Sequence, residues 1–303
     1  MGIELDPSPE LAQYAHPHKL VTSAWLGGKL GLPDLKVIES DEESLLYDIG
    51  HIPTAMRICW DKDLNDSPHR DFIDGAAFAR LMQSKGISRT DTVVIYGDRS
   101  NLWAMYTLWV FELFGHPDVR LLDGGRDAWM QEEKEISYAV PEFPATEYPK
   151  VTRDDSTHRI FADELQSRLE EFQILDLRDP VAFSGSSPED TTAHNSVNVS
   201  RTGHIPGAAN LSSSANLYPN SRFRARAELD QQLHSALAGQ DRQLQPTGPT
   251  VVYCTDGARA AGQWFTLHHL LGWENVRLYD GSWVEWGNRV RAPIAHGDAS
   301  ASA

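Results

Sequence analysis

The stretch TVVYCTDGARAAGQWFTLHHLLG, residues 250–272, carries the chemistry-bearing residue of this chain. β-prone residues run into Cys254, and a polar loop of Thr255, Asp256, Gly257, Ala258, Arg259 and Ala260 then opens a helical pattern. A cysteine at the start of a helix meets unpaired backbone N–H groups and the positive end of the helix dipole. That setting lowers a thiol pKa from its ordinary ~8.5 and makes the sulfur a nucleophile. Gly257 lets the loop turn its N–H groups inward as an anion-binding nest, and Arg259 can add charge or brace the loop. The alternative for Cys254 is a buried structural thiol. Cys59, the other cysteine, stands in RICWDKDL with no such loop and reads as structural.

These residues need a scaffold that brings a strand end to a helix start. Short apolar segments at 36–38, 92–96, 119–122, 173–175, 250–253 and 276–279 read as strands alternating with helical stretches. After Cys254, the residues Ala260, Trp264, Leu267 and Leu271 recur at helical spacing, with Gly272 as the stop. Ligands of such α/β sheets bind at the carboxyl ends of the strands, where Cys254 falls.

The chain also repeats itself. GHIPTA at 50–55 answers GHIPGA at 203–208, and TVVIYGDRSN…LLDGGRDAW answers TVVYCTDGAR…LYDGSWVEW at a constant offset of 157. The expected organisation is a first domain at 1–140, a proline-bearing, ordered but non-helical linker at 141–157, and a second domain at 158–303. Two polar stretches, 184–202 and 239–248, are expected as surface loops.

Composition excludes several classes of function. Lys and Arg total 27 against 43 Asp and Glu, a formal charge of -16, so no nucleic-acid or anionic-membrane surface is expected. No apolar run has the length of a membrane span, the acidic start MGIELDPSPE does not read as a leader, and two cysteines make no disulfide framework. A reducing, cytoplasmic setting is the expectation.

Two chemistries use a cysteine in such a cradle. Cysteine-dependent phosphatases place an arginine after five intervening residues, and Arg259 comes one residue too early for that loop. The paired GHIP motifs, the loop CTDGAR and YDGSWVEWG at 279–287 instead resemble the tandem-domain rhodanese family of sulfurtransferases, which includes thiosulfate and 3-mercaptopyruvate sulfurtransferases. The resemblance implies an α/β fold of two tandem rhodanese-like domains, each a small, mostly parallel sheet flanked by helices. It further implies ping-pong transfer of sulfane sulfur through a persulfide on Cys254, cradled by the backbone of 255–260. No metal or organic cofactor is required. The partners are a small sulfur donor and a thiol or cyanide acceptor, with a thioredoxin-like protein among the acceptors it admits. A non-catalytic sulfur relay is the alternative reading.

By the same matching, Gly97 replaces the cysteine in an inactive first domain, and Leu102 and Trp103 fall where the family has an apolar wall; a core tryptophan is the other reading of Trp103. Asp176 and Arg178 match a bracing pair and His51 a supporting motif position, with His204 its counterpart. Ser282 is expected to donate to the sulfur or to support the loop, and Asp280 to shape a turn. The loop departs from the family at Thr255 and Asp256: thiosulfate users carry Arg or Lys there, and mercaptopyruvate users Gly and Ser. An Asp256 carboxylate that points inward would repel a dianionic donor and raise the thiol pKa, and one that points away would pair with a basic neighbour. An arginine common in the family is Ala182 here, which leaves Arg201 as a loop charge for an anionic donor or as a solvated arginine.

Overall fold

The computed structural model describes residues 2–42, 45–187, 199–211, 216–238 and 244–297. The expected loops at 184–202 and 239–248 therefore lie partly outside the described residues.

The chain folds as two compact units, Met1–Asp154 with Leu217–Phe223, and Asp155–Asn216 with Arg224–Ala303. In the first unit the strands lie in the order Leu20–Val21, Val119–Leu122, Thr92–Tyr96, Leu35–Glu39 and Ala55–Arg57, every pair parallel. In the second the order is Val276–Leu278, Thr250–Tyr253, Gln173–Asp176 and Ala208–Asn210, again all parallel. Arg159 adds a single parallel bridge to Leu278, where the first unit has the strand Leu20–Val21.

The central strands are apolar at nearly every position because parallel sheets covered by helices bury both faces. Thr92–Tyr96 and Thr250–Tyr253 are buried throughout. Three short strands escape the periodicity argument. Leu20–Val21, Ala55–Arg57 and Ala208–Asn210 have two or three residues each, too few for an alternation to register. The latter two begin at the last residue of each GHIP motif.

The helix after Cys254 differs from the expected regular helix. It is α-helical over Ala258–Phe265, widens to a π-helix over Thr266–Leu271, and stops at Gly272, whose φ of 84° is left-handed. Within it, the Thr266 hydroxyl donates back to the Gly262 carbonyl at 2.9 Å. Such hydroxyl back-bonding competes with the main-chain ladder.

Residues 141–154 run along the first unit without regular structure. The Thr146 hydroxyl donates to the Ile87 carbonyl at 2.6 Å, and Arg153 pairs with Asp71 at 2.6 Å. The excursion Leu217–Phe223 belongs to the same unit: the Phe223 N–H donates to Asp123 at 3.0 Å, and the Ser221 hydroxyl to Asp127 at 2.6 Å. A boundary drawn along the sequence cannot assign that segment.

Candidate active site

Cys254 follows the strand Thr250–Tyr253 directly and is fully buried. Its backbone is clamped from the Ser282–Trp286 helix: its N–H donates to the Ser282 hydroxyl at 3.3 Å, and its carbonyl accepts the Trp283 N–H at 3.0 Å. The next carbonyl, of Thr255, accepts from Val284 at 3.0 Å. Held this way, the chain turns at Gly257, whose φ of 98° is costly for any side-chain-bearing residue. The Gly257 N–H then points at the sulfur, 3.2 Å from Sγ.

The charges around the sulfur oppose each other. Asp256 places Oδ1 3.7 Å from Sγ and accepts the Ala258 N–H on the same oxygen at 3.2 Å. Arg259 braces the loop, donating to the Leu177 carbonyl and to the Thr255 hydroxyl, each at 3.2 Å. Burial, and after it the Asp256 carboxylate, push the Cys254 thiol above its ordinary pKa, while Arg259 and the N–H groups of Ala260 and Asp256 pull it down. The expected lowering of the thiol pKa is therefore corrected. A helix start alone does not outweigh full desolvation beside a carboxylate.

Several polar residues hold this loop from behind. Asp176 and Tyr253 are register partners at the ends of adjacent strands, and the Tyr253 hydroxyl donates to Asp176 at 2.5 Å. Arg178 reaches Asp176 at 2.5 Å and the Gly203 carbonyl at 2.7 Å. This closed, buried network satisfies a carboxylate that would be costly alone. Ser282 does not donate to the sulfur: its hydroxyl proton goes to the Tyr279 carbonyl at 2.9 Å. Asp280 makes no local turn bond but a paired contact with Arg159, at 2.9 and 2.8 Å. Nor is Arg201 a loop charge for an anion. Its guanidinium donates to the carbonyls of Trp286, Gly287, Arg289 and Ala292 at 2.5–3.0 Å, stapling the C-terminal turn.

A rhodanese-like domain model matches residues 22–132 and 161–289. The chain belongs to the rhodanese family. It is 55% identical over 301 residues to a thiosulfate sulfurtransferase of Corynebacterium glutamicum, covering 98% of this chain and 97% of the relative. It is 39% identical to the sulfur carrier protein TtuD of Thermus thermophilus, over 94% of this chain and 99% of the relative. The crystal structure of YnjE shares the fold at a TM-score of 0.78 and 23% identity, over 95% of this chain and 71% of that one. An anaerobic ergothioneine biosynthesis enzyme of Chlorobium limicola does so at 0.78 and 21%, over 94% and 71%.

The first rhodanese domain carries Gly97 where the second has Cys254. A Cβ on Gly97 would lie 2.3 Å from the Ser40 carbonyl oxygen, so the backbone there admits no side chain. Asn101 fills the loop instead, accepting the Gly97 N–H at 2.9 Å and donating to the Leu122 carbonyl at 2.7 Å. Arg99, Ser100 and Asn101 all take left-handed φ values, a strained run that these bonds support. Trp103 is buried and stacks on Trp60 at 3.5 Å, and Leu102 is buried beside it in sequence. His51 is buried, stacks on Tyr47 at 3.9 Å and turns its ring nitrogens to the carbonyls of Tyr47 and Ala139. His204 repeats this, stacking on Phe183 at 3.8 Å with Nδ1 2.8 Å from its carbonyl.

Sequence reading missed the first domain's version of the bracing network. Glu39 and Tyr96 are register partners that hydrogen-bond, and Arg126 reaches Glu39 at 2.9 Å and the Gly50 carbonyl at 2.5 Å. The arginine comes from a helix start rather than two residues past the acid, so only the aligned tyrosines, 96 and 253, carried the signal.

Proposed function

We propose that the protein is a thiosulfate:acceptor sulfurtransferase that carries sulfane sulfur as a persulfide on Cys254. The observation that supports it best is the sulfur itself, at a strand end with the Gly257 N–H aimed at it. The Corynebacterium relative named thiosulfate sulfurtransferase, 55% identical along the chain, supports thiosulfate as donor. In the first half-reaction the Cys254 sulfur attacks the outer sulfur of thiosulfate, an S–S bond forms, and the bond to the sulfonate breaks with its electron pair leaving as sulfite. In the second, cyanide or a thiol takes the outer sulfur and Cys254 is restored. Splitting the transfer this way replaces one difficult step by two easier ones.

The role of the remaining loop residues follows from their placement. The N–H groups of Gly257 and Ala260 and the charge of Arg259 favour negative charge on the sulfur. Thr255 and Ala258 shape the cradle, and Asp176, Arg178 and Ser282 support it from behind. His51 is kept as a structural support of its own domain. A reducing compartment such as the cytoplasm suits free thiols, and a thioredoxin-like dithiol suits the acceptor role. The Thermus relative named as a sulfur carrier favours a second reading, a sulfur relay in which the acceptor is a protein thiol and turnover with small donors is negligible.

Intact mass tests the proposal. Wild-type protein mixed with thiosulfate gains about 32 Da, one sulfur atom, and loses it to cyanide or a reductant. Loading by 3-mercaptopyruvate but not by thiosulfate would replace the donor, and no adduct from either would reject the persulfide.

A further inference from the structure

Both half-reactions move a proton at Cys254. A buried thiol must lose its proton before attacking the donor, and a neutral thiol acceptor must lose its own before attacking the persulfide. Among the described residues, Asp256 Oδ2 is a buried carboxylate oxygen with no hydrogen-bond partner, while Oδ1 of the same group lies 3.7 Å from Sγ in donor–acceptor geometry. An unpaired buried acceptor is costly, and it invites a ligand that brings a hydrogen.

We propose that Asp256 is a catalytic residue, the proton acceptor for Cys254 and, through Oδ2, for an incoming thiol. The inference rests on Cys254 as the sulfur carrier. On loading, the Cys254 proton passes to the Asp256 carboxylate as the sulfur attacks thiosulfate. The products are the persulfide and sulfite, and the proton held on Asp256 passes to the persulfide. On discharge, Asp256 takes the proton of R–SH, and the resulting thiolate bonds the outer persulfide sulfur. The bond from that sulfur to Cys254 breaks, its electron pair stays on Sγ, and Asp256 returns the proton there. The products are R–S–SH and the Cys254 thiol.

The surroundings leave this work to Asp256. In its own loop the other charge is Arg259, which cannot accept a proton. From the neighbouring strand end, Asp176 is closed by Arg178 and Tyr253. From the helix Ser282–Trp286, Glu285 accepts from the Tyr279 hydroxyl at 2.9 Å. The same carboxylate repels a dianionic donor, so the loop gives up affinity for thiosulfate in exchange for a path for the proton.

Asp256→Asn separates these effects, because the amide keeps the Oδ1 acceptor for Ala258 and cannot take a proton. Three rates are measured on wild type and variant across pH: alkylation of Cys254 by iodoacetamide, and single-turnover discharge of the loaded persulfide to dithiothreitol and to sulfite. Removing the carboxylate takes the proton acceptor away from the Cys254 thiol and slows alkylation near neutral pH, whereas it speeds discharge to sulfite, which arrives ionised and is repelled by the carboxylate. It slows discharge to dithiothreitol by roughly a hundredfold or more, and that loss shrinks as pH rises toward the thiol's own ionisation. Equal slowing with both acceptors would mean that Asp256 only positions the loop and would overturn the proposal, as would unchanged rates. A wild type that loads no sulfur rejects the carrier reading instead, and there an alkylation profile indifferent to the substitution rejects the role of Asp256 as well.

Discussion

Arg178 donates to the Gly203 carbonyl at 2.7 Å while it holds Asp176, and so ties the GHIP turn to the strand that borders the cysteine strand. The first domain builds the same tie from another place, with Arg126 on the Gly50 carbonyl and on Glu39. In both domains an arginine therefore joins the motif glycine, left-handed at φ 104° and 127°, to a buried acid paired with a tyrosine.

Breaking that tie should unfold the second domain more readily than it alters the chemistry. Arg178→Met leaves Asp176 buried without its cation and is expected to cost about 3–5 kcal/mol. Tyr253→Phe removes the hydrogen bond to the charged Asp176 and the acceptor of the Ile205 N–H at 3.1 Å, and is expected to cost about 2–5 kcal/mol. Chemical denaturation measures both, and a loss below 1 kcal/mol for Arg178→Met would show that the network does not hold the fold.

The two cysteines should separate cleanly. Cys254→Ser abolishes sulfur transfer because an alcohol forms no persulfide, whereas Cys59→Ser keeps most of the activity. Cys59 sits with its thiol pushed up by burial and by Asp63, without a loop cradle. Steady-state assays with thiosulfate and cyanide on folded protein decide it; equal losses in both variants contradict the assignment.

Gly97→Cys is expected not to create a second sulfur carrier. The new Cβ meets the Ser40 carbonyl at 2.3 Å, and the Ser100 N–H, the counterpart of the Gly257 N–H that faces the sulfur, already donates to Asp127 at 3.3 Å. Overpacking of this kind costs about 1–3 kcal/mol. A variant of unchanged stability that takes up a second sulfur by intact mass would refute this.

Arg201→Lys tests whether that residue binds donor or holds structure. Its four carbonyl partners cannot be reproduced by an ammonium group, so stability falls by about 1–3 kcal/mol while the Michaelis constant for thiosulfate stays within about twofold. A large rise in that constant with intact stability would restore Arg201 as an anion contact.

Asp41 sets an alkaline dependence of stability. Burial, then Glu39, then Asp98 raise its carboxyl to about 10, so the folded state keeps a proton that the unfolded chain releases near the ordinary ~4. Folding takes up that proton, and stability falls as pH rises between those values. His116, held down to about 4 by burial, acts in the opposite sense, its stability loss appearing as pH falls below ~6.5. Asp123, raised to about 6 by burial, has titrated by neutral pH. Between pH 7 and 9 the difference between wild type and Asp41→Asn therefore reports Asp41. The wild type should lose about 1 kcal/mol per pH unit relative to the variant, and parallel profiles would contradict a protonated Asp41.

The sequence by itself determined the repeat, the strand that ends at Cys254 and the alternation that makes a parallel sheet. Each is a local pattern: apolar runs mark buried strands, and a constant offset marks duplication. The loop residues could also be read in order, since Gly257 supplies the turn and Cys254 the sulfur. What only the tertiary structure decided is where the polar groups point. Asp256 faces the sulfur, Arg201 turns to four carbonyls, Ser282 gives its proton to Tyr279, and Asp280 finds Arg159 from 121 residues away. A charged side chain has several partners within reach, and the one it takes depends on what the fold has already buried beside it. The thiol pKa follows the same rule: a helix start is visible in the sequence, but full burial beside a carboxylate is not.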